Sequence, residues 1–104
     1  MNISDAYEAA GIMLDAAAEH ADSVLSVAAS TVMADPASAD GITVGARMVV
    51  YGASAAATVA GRLHLADHQS RAAQFGHIHH EWRGVVAGTP ATVTAIEFRG
   101  GEGQ

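Results

Sequence analysis

From Ile3 onward, apolar positions recur in alternating steps of three and four: Ile3, Tyr7, Ala10, Leu14, Ala17, Ala21, Val24, Ala28 and Thr31. Asp5, Glu8, Asp15, Glu19 and Asp22 fall on the opposite side. This spacing predicts an amphipathic helix over about residues 4–34. Ser4 serves as its N-cap, and Asp5 and Glu8 stand in first turns where carboxylates favour the positive helix end. Asp35-Pro36 ends it, because the residue before proline is driven out of the helical region, and residues 35–40 read as a turn.

The stretch that follows puts small residues in two rows at steps of four. One row holds Gly41, Gly45, Ala53, Ala57 and Gly61, broken by Val49, and the other holds Gly52, Ala56 and Ala60. On a helix over about 40–65 both rows lie along one side and let a partner backbone approach closely. Gly41, Gly45, Gly52, Ala53, Ala56, Ala57, Ala60 and Gly61 are therefore the expected association seam. Ala72, Phe75, Ile78 or His79, Trp82 and Val86 then predict a third helix over about 67–87. Gly88-Thr89-Pro90 stops it, and Ala91 to Phe98 alternates in the manner of a strand, within an extended tail over 89–104. The pattern as a whole predicts one all-α domain over 1–104: an antiparallel helical hairpin, a third helical segment and a short extended C-terminal tail.

Charge sharpens the choice of partner. All seven acids of residues 1–40 stand without a Lys or Arg, giving −7, whereas four acids and five arginines give the remainder +1 and the chain −6. Phosphate binding needs a cationic stripe, so nucleic acid is not the expected partner. Residues 42–60 are apolar, but Arg47 interrupts them and alanine makes up their bulk, so no membrane span is expected. The start of the chain lacks a basic segment followed by an apolar run, and no cleavable signal peptide is expected. A cytoplasmic, virion or signal-peptide-independent exported location fits. There is no cysteine, hence no disulfide framework and no thiolate ligand or nucleophile.

The one chemistry-bearing cluster is rich in histidine. His64 and His68 are four apart, His77 and His80 three, and His77 and Glu81 four, so helical geometry would aim each pair from one face. Together His64, His68, His77, His80 and Glu81 form the alternative reading, a site for zinc or another divalent cation, with surface histidines and a pH response as the other readings. No His-Glu-x-x-His, Gly-x-Ser-x-Gly or phosphate-binding glycine loop occurs. No catalysis is expected, and no cofactor beyond that cation.

In its first helix to Ala34, its Asp35-Pro36 turn and its Ala-Gly seam, the chain resembles the small helical-hairpin proteins of type VII secretion (WXG100-like and PE-like). Trp82-Arg83-Gly84 spells their Trp-x-Gly triplet, although outside the interhelical turn. The resemblance implies a dimerising hairpin of two antiparallel helices. The leading expectation is thus a non-enzymatic helical interaction protein that self-associates or binds a protein partner. The alternatives are a phage or virion component ordered in an assembly, and a histidine-based metal-binding bundle.

Overall fold

The computed structural model describes residues 3–34 and 41–97. Its elements are α1 (Ile3–Ala16), a 3-10 segment (Ala18–Ser23), β1 (Val24–Ala34), β2 (Ile42–Tyr51), α2 (Ala53–Arg62), β3 (Asp67–Ala72), β4 (Ile78–Val86) and β5 (Thr89–Glu97). The all-α expectation is overturned: five strands form one mixed sheet in the order β1-β2-β5-β4-β3. With the helical hairpin goes the type VII secretion resemblance. The expected turn at 35–40 and the tail beyond Glu97 lie outside the described residues.

α1 is a helix for its first four turns, but its buried face is Ala6, Ala9, Ala10 and Met13, continued by Ala17 just past its end, while Tyr7 and Leu14 of the expected apolar stripe are exposed. It does not continue to Ala34. His20 leaves helical geometry at φ −120° and ψ 26°, and the eleven residues from Val24 are Val-Leu-Ser-Val-Ala-Ala-Ser-Thr-Val-Met-Ala. Alanine is compatible with any period. Once it is discounted, what remains is rich in valine, with threonine and serine, side chains that suit a pleated surface.

The second expected helix is divided at Gly52, whose φ of 91° a side chain would resist. Before it, Val44, Ala46, Met48 and Val50 are buried at every second position, while Arg47 and Tyr51 on the other face are exposed. After it, α2 buries Ala56, Val59 and Ala60 at helical spacing. The small-residue seam is therefore not one helix face: Gly41 precedes β2, Gly45 belongs to β2, Gly52 to the turn, and only Ala53, Ala56, Ala57, Ala60 and Gly61 to a helix, with Ala57 and Gly61 exposed.

The third expected helix is a hairpin. β3 and β4 pair antiparallel through a tight turn at Phe75 and Gly76, both with positive φ. Ala87 and Gly88, again with positive φ, make the two-residue turn into β5. The strand reading of Ala91 onward matches, but β5 is no tail. It lies parallel to β2 and antiparallel to β4 in the middle of the sheet, with Ala91 through Ala95 all buried.

α1 packs over β1 and β2, and α2 over β2 and β5, so both helices share one face of the sheet. The chain leaving α2 then crosses β4 at Gly84, where an added Cβ would stand 2.8 Å from Leu65 Cδ2 and 3.3 Å from Leu65 Cα. Arg62 fastens the helix layer by pairing with Glu19 and donating to the Ala16 carbonyl. Among the described residues no helix covers the opposite face. There Thr92 and Thr94 are buried between the cross-strand neighbours Arg47 and Arg83, and Val49 and Glu81.

Candidate functional site at the two sheet edges

Strand alternation puts His68 and Ser70 of β3, and His80 and Trp82 of β4, on the helix-bearing face, and cross-strand register sets His68 opposite Trp82 and Ser70 opposite His80. His68 Nε2 lies 2.9 Å from His80 Nδ1, and His80 Nε2 lies 3.1 Å from Glu97 Oε1. A carboxylate only accepts, so His80 donates from Nε2 and presents a lone pair at Nδ1, which His68 meets with its own N–H. The two imidazoles meet edge to edge with planes 15° apart. Trp82 stacks against both, at centroid distances of 4.6 Å from His68 and 5.6 Å from His80. The array ties β3, β4 and β5 together on a buried indole.

This arrangement answers the metal reading residue by residue. His68 and His80 are brought together, yet with one ring donating to the other rather than with lone pairs converging on a common point. His64 is exposed in the turn after α2 with φ 58°, His77 precedes β4, and Glu81 is on the opposite face bound to Arg83. Among the described residues no three His, Asp or Glu side chains converge closely enough to hold a metal ion. The member that sequence reading missed is Glu97, because no local spacing links it to His80. Only the register of β4 on β5 does so.

On the open face, Glu81 accepts two hydrogen bonds from Arg83, at 2.8 and 3.2 Å. The guanidinium holds the Glu81 carboxyl below its ordinary range of about 4.5, with partial burial acting in the opposite direction. A depressed carboxylate pKa contributes stability above the unfolded value that is lost as pH falls through the folded one. Arg83 is half exposed, so Arg83→Ala is expected to cost less than about 1 kcal/mol at neutral pH. Urea unfolding of native and variant chains, compared at neutral pH and well below pH 4.5, checks this: the gap should close on acidification. Beside this pair, Gln69, Ser70, Arg71, His79 and Glu81 line a shallow concavity of about 50 Å³. Arg47, the charge in the expected seam, is also on this face, and the cation that pairs with an acid next to α1 is Arg62.

Compared with known proteins, the chain matches no family model, no curated protein and no solved structure. The site therefore rests on geometry alone.

The two outer strands differ sharply. β3 is polar on both faces and carries Asp67 and Arg71, the kind of charge that discourages edge pairing. β1 is eleven residues long and contains no charged residue and no proline. Leu25 sits at an irregularity in its pairing with β2 and is 64% exposed. Val24, Val27 and Ala29 pack against the core while remaining only partly buried. A second irregularity falls between Ala28 and Thr31.

Among the described residues no helix is long and apolar enough to cross a membrane.

Proposed function

We propose that this protein is a non-enzymatic interaction module that self-associates by adding a strand at the β1 edge of its sheet. The observation that supports the reading is the charge-free composition of β1 set against the charged, polar strand at the other edge. A row of backbone donors and acceptors flanked by Val, Leu, Ala and Ser is a ready template for another strand, and natural sheets usually interrupt such a row with charge or proline. Of the histidines, the array engages His68 and His80, together with Glu97. The close helix-to-helix docking expected from the small residues is set aside, because only Ala53, Ala56, Ala57, Ala60 and Gly61 share a helix and Ala56 and Ala60 of these are already buried in the core.

Leu25→Lys tests the reading. Leu25 is already exposed, so the variant is expected to keep the native melting temperature, while a lysine at the edge opposes strand addition. In sedimentation equilibrium the native chain should exceed monomer mass as concentration rises, and the variant should remain monomeric over the same range. Equal masses for the two chains at every concentration would overturn the proposal.

A further inference from the structure

At the other end of the sheet, and independently of association, we propose that the paired imidazoles of His68 and His80 form an acid-released latch. It holds β3 over Trp82 at neutral pH and lets it go when both rings are protonated. Each neutral ring carries one N–H. His80 donates its own from Nε2 to Glu97 and accepts the His68 Nε2–H at Nδ1. Nδ1 of the exposed His68 is the ring nitrogen that neither bond engages. A first added proton goes there and leaves both bonds standing, with the His68–His80 bond now charge-assisted. A second has His80 Nδ1 as its place. It would set two N–H groups against each other across 2.9 Å, and two cations in rings whose centroids are 5.2 Å apart. The His80 side chain is 13% exposed, so water does little to screen them. The closed array thus accommodates one added proton, whereas separated rings take two. Where the open form binds more protons, falling pH favours opening. Imidazoles as a class change charge between about pH 5 and 8, so mild acid is the trigger.

The charged groups around the rings leave this balance in place. Glu97 of β5 is the carboxylate set against His80, and it has a further interaction of its own. It offsets one imidazolium, not two. Asp67 and Arg71 of β3, His79, Glu81 and Arg83 of β4, and Arg47 of β2 alternate onto the open face. Arg62, the charged residue of α2, is held by Glu19, and Asp5, Glu8 and Asp15 of α1 are exposed. His64 is exposed in the turn after α2, and His77, just before β4, has an interaction of its own.

β3 is the element that such a release frees. Its six residues are all exposed, and in the sheet it pairs with β4 alone. Beyond the strand ladder, His68 is the side chain that seats it on the buried indole, with ring centroids 4.6 Å apart. Loosening β3 uncovers Trp82, now 8% exposed, and makes β4 the edge of the sheet. Mild acid therefore turns a polar, charged edge into one that presents an indole.

The test is hydrogen exchange of the full-length chain at about pH 7.5 and about pH 5, corrected for the intrinsic effect of pH on exchange, beside the variant His68→Gln. Arg83 holds the Glu81 carboxyl below its ordinary range of about 4.5, so the pair on the open face stays ionised at both values. Glutamine places at the exposed site an amide that donates to His80 Nδ1 at neutral pH and, turned over, accepts from it in acid. Native β3 amides are expected to lose protection several-fold on acidification while those of β2 and β5 change little, and the emission of the single tryptophan should move to longer wavelength. His68→Gln should hold β3 equally at both values. Unchanged β3 protection in the native chain would overturn the latch. An equal loss in His68→Gln would overturn the imidazole pair as its sensor, and a loss shared by β2 and β5 would overturn local release in favour of acid unfolding of the whole domain. Opening of β3 with unchanged emission would overturn the uncovering of Trp82.

Discussion

Trp82→Ala is expected to lower the stability of the chain by about 3–5 kcal/mol, the usual cost of deleting a large buried aromatic. The indole is 8% exposed and belongs to the main core, yet its outer side carries His68 and His80. Two losses therefore coincide: a cavity opens beneath β4, and the rings that tie β3 to β4 lose the surface they rest on. β3 is exposed along all six residues, and its single strand neighbour in the sheet is β4. The loss should thus be uneven. Hydrogen exchange is expected to show the β3 amides opening far more readily than those of β2 or β5, with urea unfolding giving the global cost. A domain of this size holds roughly 5–15 kcal/mol in all, so the variant should be near its limit at 37 °C. A loss below about 1 kcal/mol with unchanged β3 exchange would count against the indole as the platform of the array.

Removing only the imidazole contact separates the two losses. His68 is exposed, so His68→Ala keeps the core filled while ending the bond to His80 Nδ1. Trp82→Ala and His68→Ala should therefore agree in loosening β3 and disagree in global stability. That contrast distinguishes a latch on an edge strand from a residue that merely fills space.

How much of this was legible in the sequence depends on alanine. α1 was legible as a helix to Ala16, but its buried face was not: Tyr7 and Leu14 marked the expected stripe and are exposed, whereas the small Ala6 and Ala9 and the flexible Met13 are buried. Beyond Ala17 the apparent helical stripe was carried largely by Ala21, Ala28 and their neighbours, which fit a step of two as readily as a step of four. Two positions held the missing information. Gly52 divides an alternating Val44, Ala46, Met48, Val50 run from a helical Ala56, Val59, Ala60 run, and reading both at one period joined a strand to a helix. Phe75 and Gly76 mark a hairpin turn only when paired strands on either side are already suspected. The β5 alternation was visible, but its place at the centre of the sheet was not, since a parallel partner 45 residues earlier (Ala46 against Ala91) leaves no local mark. For the same reason His68 and His80 were legible as a cluster while Glu97 was not.

The second large effect is expected at Met48, where Met48→Ala should cost about 2–5 kcal/mol. Met48 is fully buried in β2 and lies in register with Val27 of β1 on one side and Val93 of β5 on the other. Few large side chains share the core with it: Met13, Val50, Val59 and Val93 are the others of substantial volume that are fully buried. Around them stand Ala9, Ala46, Ala56, Ala91 and Ala95, which have no rotamers with which to move into a void. The cost should therefore fall toward the upper end of that range, because the penalty grows with the cavity left after relaxation. Met48→Leu, close in volume, should cost less than about 1.5 kcal/mol. Thermal unfolding of both variants checks the pair, each kcal/mol corresponding to a shift of roughly 4–8 °C for a domain near this size. Equal losses for alanine and leucine would mean that side-chain shape rather than lost volume governs the site, and small losses for both would mean that the alanine layer can close after all.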